Sequence, residues 1–203
     1  MAADEYYDAI GEVLSYVLSA EDFVVGQERA KNGTYFLINR DNTNLEFYAA
    51  PNERYFTLIR QHSLRRRVSQ AYRENNQLLS KHMEEYEMDE STIRDENLHE
   101  RVAAERIRDV SEEQAERVVN DVESFMIHSD CRIRNRTISD PESSGEDEIW
   151  DGVQIIGLLY PYEDNFSPRD YEQAAQEVIS VGSQIEEAMN KMDVLQEIES
   201  ART

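Results

Sequence analysis

Residues 4 to 19 set Tyr6, Ile10, Val13 and Val17 on one stripe, with Tyr7, Leu14 and Leu18 beside it. Steps of three and four predict a helix with one buried face. After Ser19 the period shortens. The runs FVVGQERA, TYFLINR, LEFYAA and RYFTLIR are rich in aromatic and β-branched residues, and KNG, DNTN and PNE separate them. Such separators are turn chemistry, so an antiparallel meander of three or four strands is expected from about Phe23 to Arg60.

Helical spacing returns from Gln61 to about Tyr86, through Leu64, Val68, Ala71 and Tyr72, Leu79, Met83 and Tyr86. Residues 84 to 110 are nearly all charge, with Met88, Ile93, Leu98, Val102 and Ile107 as apolar anchors. They read either as an exposed helix laced with ion pairs or as partly mobile chain. Ser111 and Gln114 make a capping box, opening a helix expected to bury Val118, Val122, Phe125 and Met126. The stretch CRIRNRTISDPESSGEDEIWDG, residues 131 to 152, reads as a strand, an acidic turn and the start of a second strand that Pro161 ends. Ser167 as cap and Pro168 at the first helical position then open a last helix. Its stripe, Tyr171, Ala174, Val178, Val181, Ile185, Ala188, Met192 and Leu195, alternates steps of three and four over about 30 residues. The expected fold class is α+β: an antiparallel meander plus a hairpin in one sheet, flanked by N-terminal, middle and long C-terminal helices. Residues 1–203 are expected to form a single domain, with 84–127 a charged helical insert.

This order resembles the small α+β fold of type III secretion chaperones and their non-secretion relatives: helix, three-stranded meander, helix, two strands, helix. The likeness covers residues 4 to 80 and 131 to 195 as architecture, with no shared motif. It implies a dimeric polypeptide binder without catalytic residues. The charged insert near 84 to 127 departs from the pattern, and no functional residue is carried over.

Composition adds a setting. Asp and Glu number 43 against 21 Lys and Arg, giving a net charge of −22, and the only lysines are Lys31, Lys81 and Lys191. Acidic, lysine-poor chains that keep arginine resemble the cytoplasmic proteins of extreme halophiles, the haloarchaea above all. Self-repulsion among so many carboxylates opposes a compact state in dilute buffer. At about 1 M salt the Debye length falls to about 3 Å and most of that repulsion is screened. The single cysteine, Cys131, excludes an internal disulfide framework. The N-terminus lacks a basic region ahead of an apolar run, and no stretch approaches the ~18 apolar residues of a membrane span. A cytoplasmic protein with no membrane contact is the expectation.

Two basic stretches stand out against this background. On a strand at 131 to 138, Arg132, Arg134 and Arg136 share a face. Asp147, Glu148 and Asp151 return beside them, so the hairpin can pair its own charge; the alternative is an anion or partner site. From Arg60 to Arg73 there are five arginines (Arg60, Arg65, Arg66, Arg67, Arg73) and no acid. Three crowd a helix start, where the macrodipole disfavours cations. Something must compensate, either an internal acidic partner such as MEEYEMDE or the charged insert, or an external phosphate or acidic partner. Nucleic acid is the less favoured partner, because its readers are usually basic overall.

The seam Val178, Val181, Ile185, Met192 and Leu195 is either core or the contact of a homodimer. His62, His82, His99 and His128 are scattered. His128 and Cys131 alone do not make a four-ligand zinc site, so no metal is expected. There is no glycine-rich phosphate loop, nucleophile elbow or H-E-x-x-H, hence no cofactor and no nominated catalytic residue. The leading expectation is a non-catalytic adaptor or chaperone-like protein binding another polypeptide through its sheet edge and apolar helix faces. A nucleic-acid-associated accessory protein using the arginine-rich surface, and an enzyme without a recognisable motif, are the alternatives.

Overall fold

The computed structural model describes residues 3–30, 33–88, 98–126, 129–139 and 148–201. In chain order these form α1 (Ala3–Ser19), β1 (Phe23–Ala30), β2 (Gly33–Arg40), β3 (Thr43–Ala49), β4 (Phe56–Ser63), α2 (Leu64–Glu74), α3 (Asn76–Glu85), α4 (Leu98–Arg108), α5 (Glu112–Met126), β5 (Arg132–Ser139), β6 (Glu148–Leu159), α6 (Pro168–Met189) and α7 (Asp193–Ser200). The six strands make one antiparallel sheet in the order β1-β2-β3-β4-β6-β5. The fold is α+β. β1 and β5 are the sheet's edges.

The chain divides into two compact units. The first comprises Met1–Gln61, Ser124–Arg134 and Gln154–Ser183. Here Tyr6, Ile10, Val13 and Val17 of α1 are buried, while Tyr7 and Leu18 face solvent. Phe36, Phe47 and Phe56 form an aromatic row across the meander, Phe47 and Phe56 meeting edge-on at 5.4 Å between ring centres. The β2–β3 and β3–β4 pairings run without interruption. In β1–β2, Val24 faces Ile38 and Gly26 faces Leu37, so Val25 is an extra, bulged residue. The buried Asp22 carboxylate accepts from the Tyr171 hydroxyl at 2.7 Å and from Arg40 at 3.3 Å. These bonds tie α6 and β2 to the turn after α1.

The second unit comprises His62–Glu123, Asn135–Val153 and Gln184–Thr203. The helical stretch expected from Gln61 to about Tyr86 begins later, after the end of β4, and consists of two helices. Asn75 breaks it: its extended backbone and its side-chain oxygen, which accepts from the Gln77 and Leu78 amides at 3.1 Å each, stop α2 and cap α3. α4 is not an exposed charged helix. Val102, Ala103, Ala104 and Ile107 are buried, and the helix packs on α2. Two alanines give it an apolar face that a search for large hydrophobics passes over. Ile93 lies outside the described residues.

Ser111 Oγ accepts from the Gln114 amide at 3.2 Å, as a cap should. α5 buries Val118 and Val122. Phe125, expected in the same stripe, is exposed, because the half-buried Met126 takes the next inward place. The last helix is also interrupted. Asn190, Lys191 and Met192 close α6 with tightening backbone bonds, and Met192, in an extended conformation, precedes α7. The stripe carries across the break because Met192 and Leu195 still point inward.

Candidate functional site

Both arginine stretches meet at one carboxylate. Asp151 of β6 is fully buried. Its oxygens accept from Arg136 Nε at 2.7 Å, from the Arg65 backbone amide at 2.8 Å, and from the Ser63 hydroxyl at 3.0 Å. Ser63 in turn accepts from the Arg66 amide at 3.1 Å and caps α2. The start of α2 therefore faces a negative charge, which suits its macrodipole. Among the described residues that charge comes from β6, while Glu100 of the charged insert pairs with Arg73. Gly152 makes the approach possible: its φ is +126°, and a Cβ there would lie 2.0 Å from the His62 carbonyl oxygen.

The remaining arginines divide. Arg60 donates to the Ile179 carbonyl at 2.8 Å and to Ser183 Oγ at 3.3 Å, lying over Gly182. Arg67 donates to Asn190 Oδ1, and burial pushes its pKa down. Arg73 pairs with Glu100 at 3.6 Å, both well exposed. On the hairpin, Arg136 pairs with Asp151 as the alternation implied, whereas Glu148 accepts from Thr137 Oγ1 at 2.7 Å. Asp147 lies outside the described residues. The guanidinium groups of Arg65, Arg66, Arg132 and Arg134 have no ion pair among the described residues. The helix start that could have held a phosphate is already occupied by Asp151.

The seam residues Val178, Val181, Ile185, Met192 and Leu195 are all buried in the chain's own interior. The homodimer expectation thereby loses the surface on which it rested. Cys131 is buried, and desolvation raises its thiol pKa. His128 lies outside the described residues, and among the described ones no three His, Cys, Asp or Glu side chains gather to hold a metal. No helix of the described residues is long and apolar enough to cross a membrane.

A polar chain crosses the helical part of the second unit. The Tyr72 hydroxyl and His82 Nδ1 are 2.6 Å apart, His82 Nε2 lies 3.6 Å from Glu197 Oε1, and Lys81 and Arg106 close on the same carboxylate. Burial raises the Tyr72 pKa, so the phenol keeps its proton, and the bond between its oxygen and His82 Nδ1 runs in the direction that the imidazole tautomer sets. Tyrosine, histidine and carboxylate in line can move protons, but His82 is 0% exposed and out of a substrate's reach. The chain fastens helices.

Among the described residues, exposed apolar side chains gather on the edge strand β1. Phe23 is 67% exposed, Val24 40% and Val25 61%, and Leu18 at the end of α1 is 67% exposed. A sheet edge also offers unpaired backbone N–H and C=O groups. A sheet edge is expected from the sequence to make contacts, and Leu18 is placed on the N-terminal helix, but Phe23, Val24 and Val25 are not named as that edge. The signal was present: three consecutive apolar residues in a strand cannot all face one side, and the first strand of a meander lies at an edge unless a later strand covers it.

No family model matches this chain, nor does any curated protein or solved structure.

Proposed function

We propose that this chain is a non-catalytic adaptor or chaperone-like protein that binds an extended segment of another polypeptide along β1. The observation that carries the reading is the exposure of Phe23, Val24 and Val25 on a free sheet edge. Proteins usually blunt such edges with charge, proline or a bulge; here Phe23, Val24 and Val25 are apolar and exposed around the bulge. Strand addition supplies backbone hydrogen bonds, and alternate side chains supply specificity. The partner segment is apolar at alternate positions and basic in its flanks, because a body of net charge −22 attracts cations and rejects acidic competitors. The acidic, lysine-poor composition supports work in a halophile's cytoplasm at molar salt. Nucleic acid is the weaker reading, since Arg60, Arg67, Arg73 and Arg136 already have partners within the chain.

The test is selection of short peptides from a display library in molar KCl, followed by amide hydrogen exchange of the complex. Slowed exchange in Phe23–Ala30, with binding at least tenfold weaker in F23K/V25K, is the expected result. Protection confined to other segments, or full binding by the double variant, would overturn the reading. Size-exclusion chromatography of the same samples reports whether β1 instead pairs with a second copy.

A further inference from the structure

The second unit carries another surface, with different chemistry. A groove of about 790 Å³ is lined by α5 and by the β5–β6 hairpin. Its apolar lining is Val110, Ala115, Val119, Ile149 and Trp150. The Trp150 indole donates to Asn135 Oδ1 at 3.3 Å, which sets the plane of the ring.

The polar lining is of one sign where it is free. Glu112 and Glu116 stand one turn apart on α5, Glu148 begins β6, and all three are exposed and line the groove. None has a cationic partner among the described residues. The one cation in the lining, Arg108, is paired with Glu105 at 2.5 Å.

An apolar floor, one fixed indole and a rim of carboxylates without cationic partners among the described residues define a complementary ligand: a long apolar stem ending in a cation. We infer that this groove is a second docking site, taking arginine- or lysine-bearing segments of a polypeptide. The stems lie along Ala115, Val119 and Ile149, and the cationic heads reach the carboxylates, one of them stacking on Trp150. A volume of about 790 Å³ falls in the range of ligand sites and exceeds one side chain, so a segment fits better than a single ion. Recognition here is by side chains, whereas that proposed at β1 is by backbone pairing. The two surfaces can therefore fail independently.

Trp150 is the chain's only tryptophan, so its fluorescence reports on this groove. The experiment titrates the full-length chain with a short peptide of alternating Arg and Leu, with its Glu-for-Arg analogue, and with spermine. It is run at the lowest KCl concentration that keeps the chain folded by circular dichroism. The expected result is a saturable change in Trp150 emission with the Arg peptide alone. E112Q/E116Q should bind about three- to tenfold more weakly, as two exposed charge pairs allow, and F23K/V25K should bind like the parent. An unchanged emission, or equal affinity in E112Q/E116Q, would remove the site. Loss of the signal in F23K/V25K would move binding to β1, and an equal response to spermine would make this a small-cation site; either result overturns the inference.

Discussion

Asp151 receives the Ser63 hydroxyl, the Arg65 amide and the Arg136 guanidinium while shut off from water. A buried charge is tolerable only when paired and hydrogen-bonded, and stripping one partner from a buried pair leaves the other uncompensated. Asp151→Ala is therefore expected to lower stability by about 3–5 kcal/mol. Arg65→Ala should change it by no more than about 0.5 kcal/mol, because only the backbone of Arg65 makes the bond to Asp151. Urea unfolding of the two variants checks the ranking, and the reverse order would mean that guanidinium groups, not the carboxylate, hold the start of α2.

Among elements, α7 is fastened to α3 and α4 through Glu197. The Lys81 hydrogen bond first, with the nearby positive charges of Arg106 and Lys81, holds this carboxyl at about 2 against an ordinary 4.5. His82, buried beside it, has its pKa pushed below the ordinary 6.5 by loss of water. Both shifts act in the same direction. The unfolded chain takes up a proton on histidine below about pH 6.5 that native His82 resists, and one on Glu197 between 4.5 and about 2. Stability is thus expected to fall in two steps on acidification, the first flattened in His82→Gln and the second in Glu197→Gln. Urea midpoints measured from pH 8 to pH 3 read both. Asn75→Ala, which removes the cap between α2 and α3, should cost about 1 kcal/mol at neutral pH in the same assay.

For the molecule as a whole, charge sets the working conditions. A net charge of −22 makes self-repulsion the dominant long-range term. Raising KCl from 0.1 M to 1 M shortens the Debye length from about 10 Å to about 3 Å. The urea midpoint is expected to rise over that interval and then level off. A steady fall would show that surface ion pairs such as Arg117–Glu113 outweigh the repulsion.

Local rules carried the sequence far. The period change after Ser19, the turn residues between strands, the cap at Ser111 and the proline at the first position of α6 each depend on neighbours a few positions away, so α1, the four-stranded meander, α5 and the start of α6 were legible. Composition likewise determined the charge that governs behaviour in salt. Tertiary structure decided which faces are covered. It buried α4 by way of two alanines, ended α6 without disturbing the stripe of inward residues, and used the seam from Val178 to Leu195 inside the chain. It joined two arginine stretches some seventy positions apart at Asp151. It also left Phe23, Val24 and Val25 exposed on β1 and lined a groove with Trp150. Burial and pairing depend on which distant segments arrive at a surface, and the same alternation of residues serves a central strand and an edge alike.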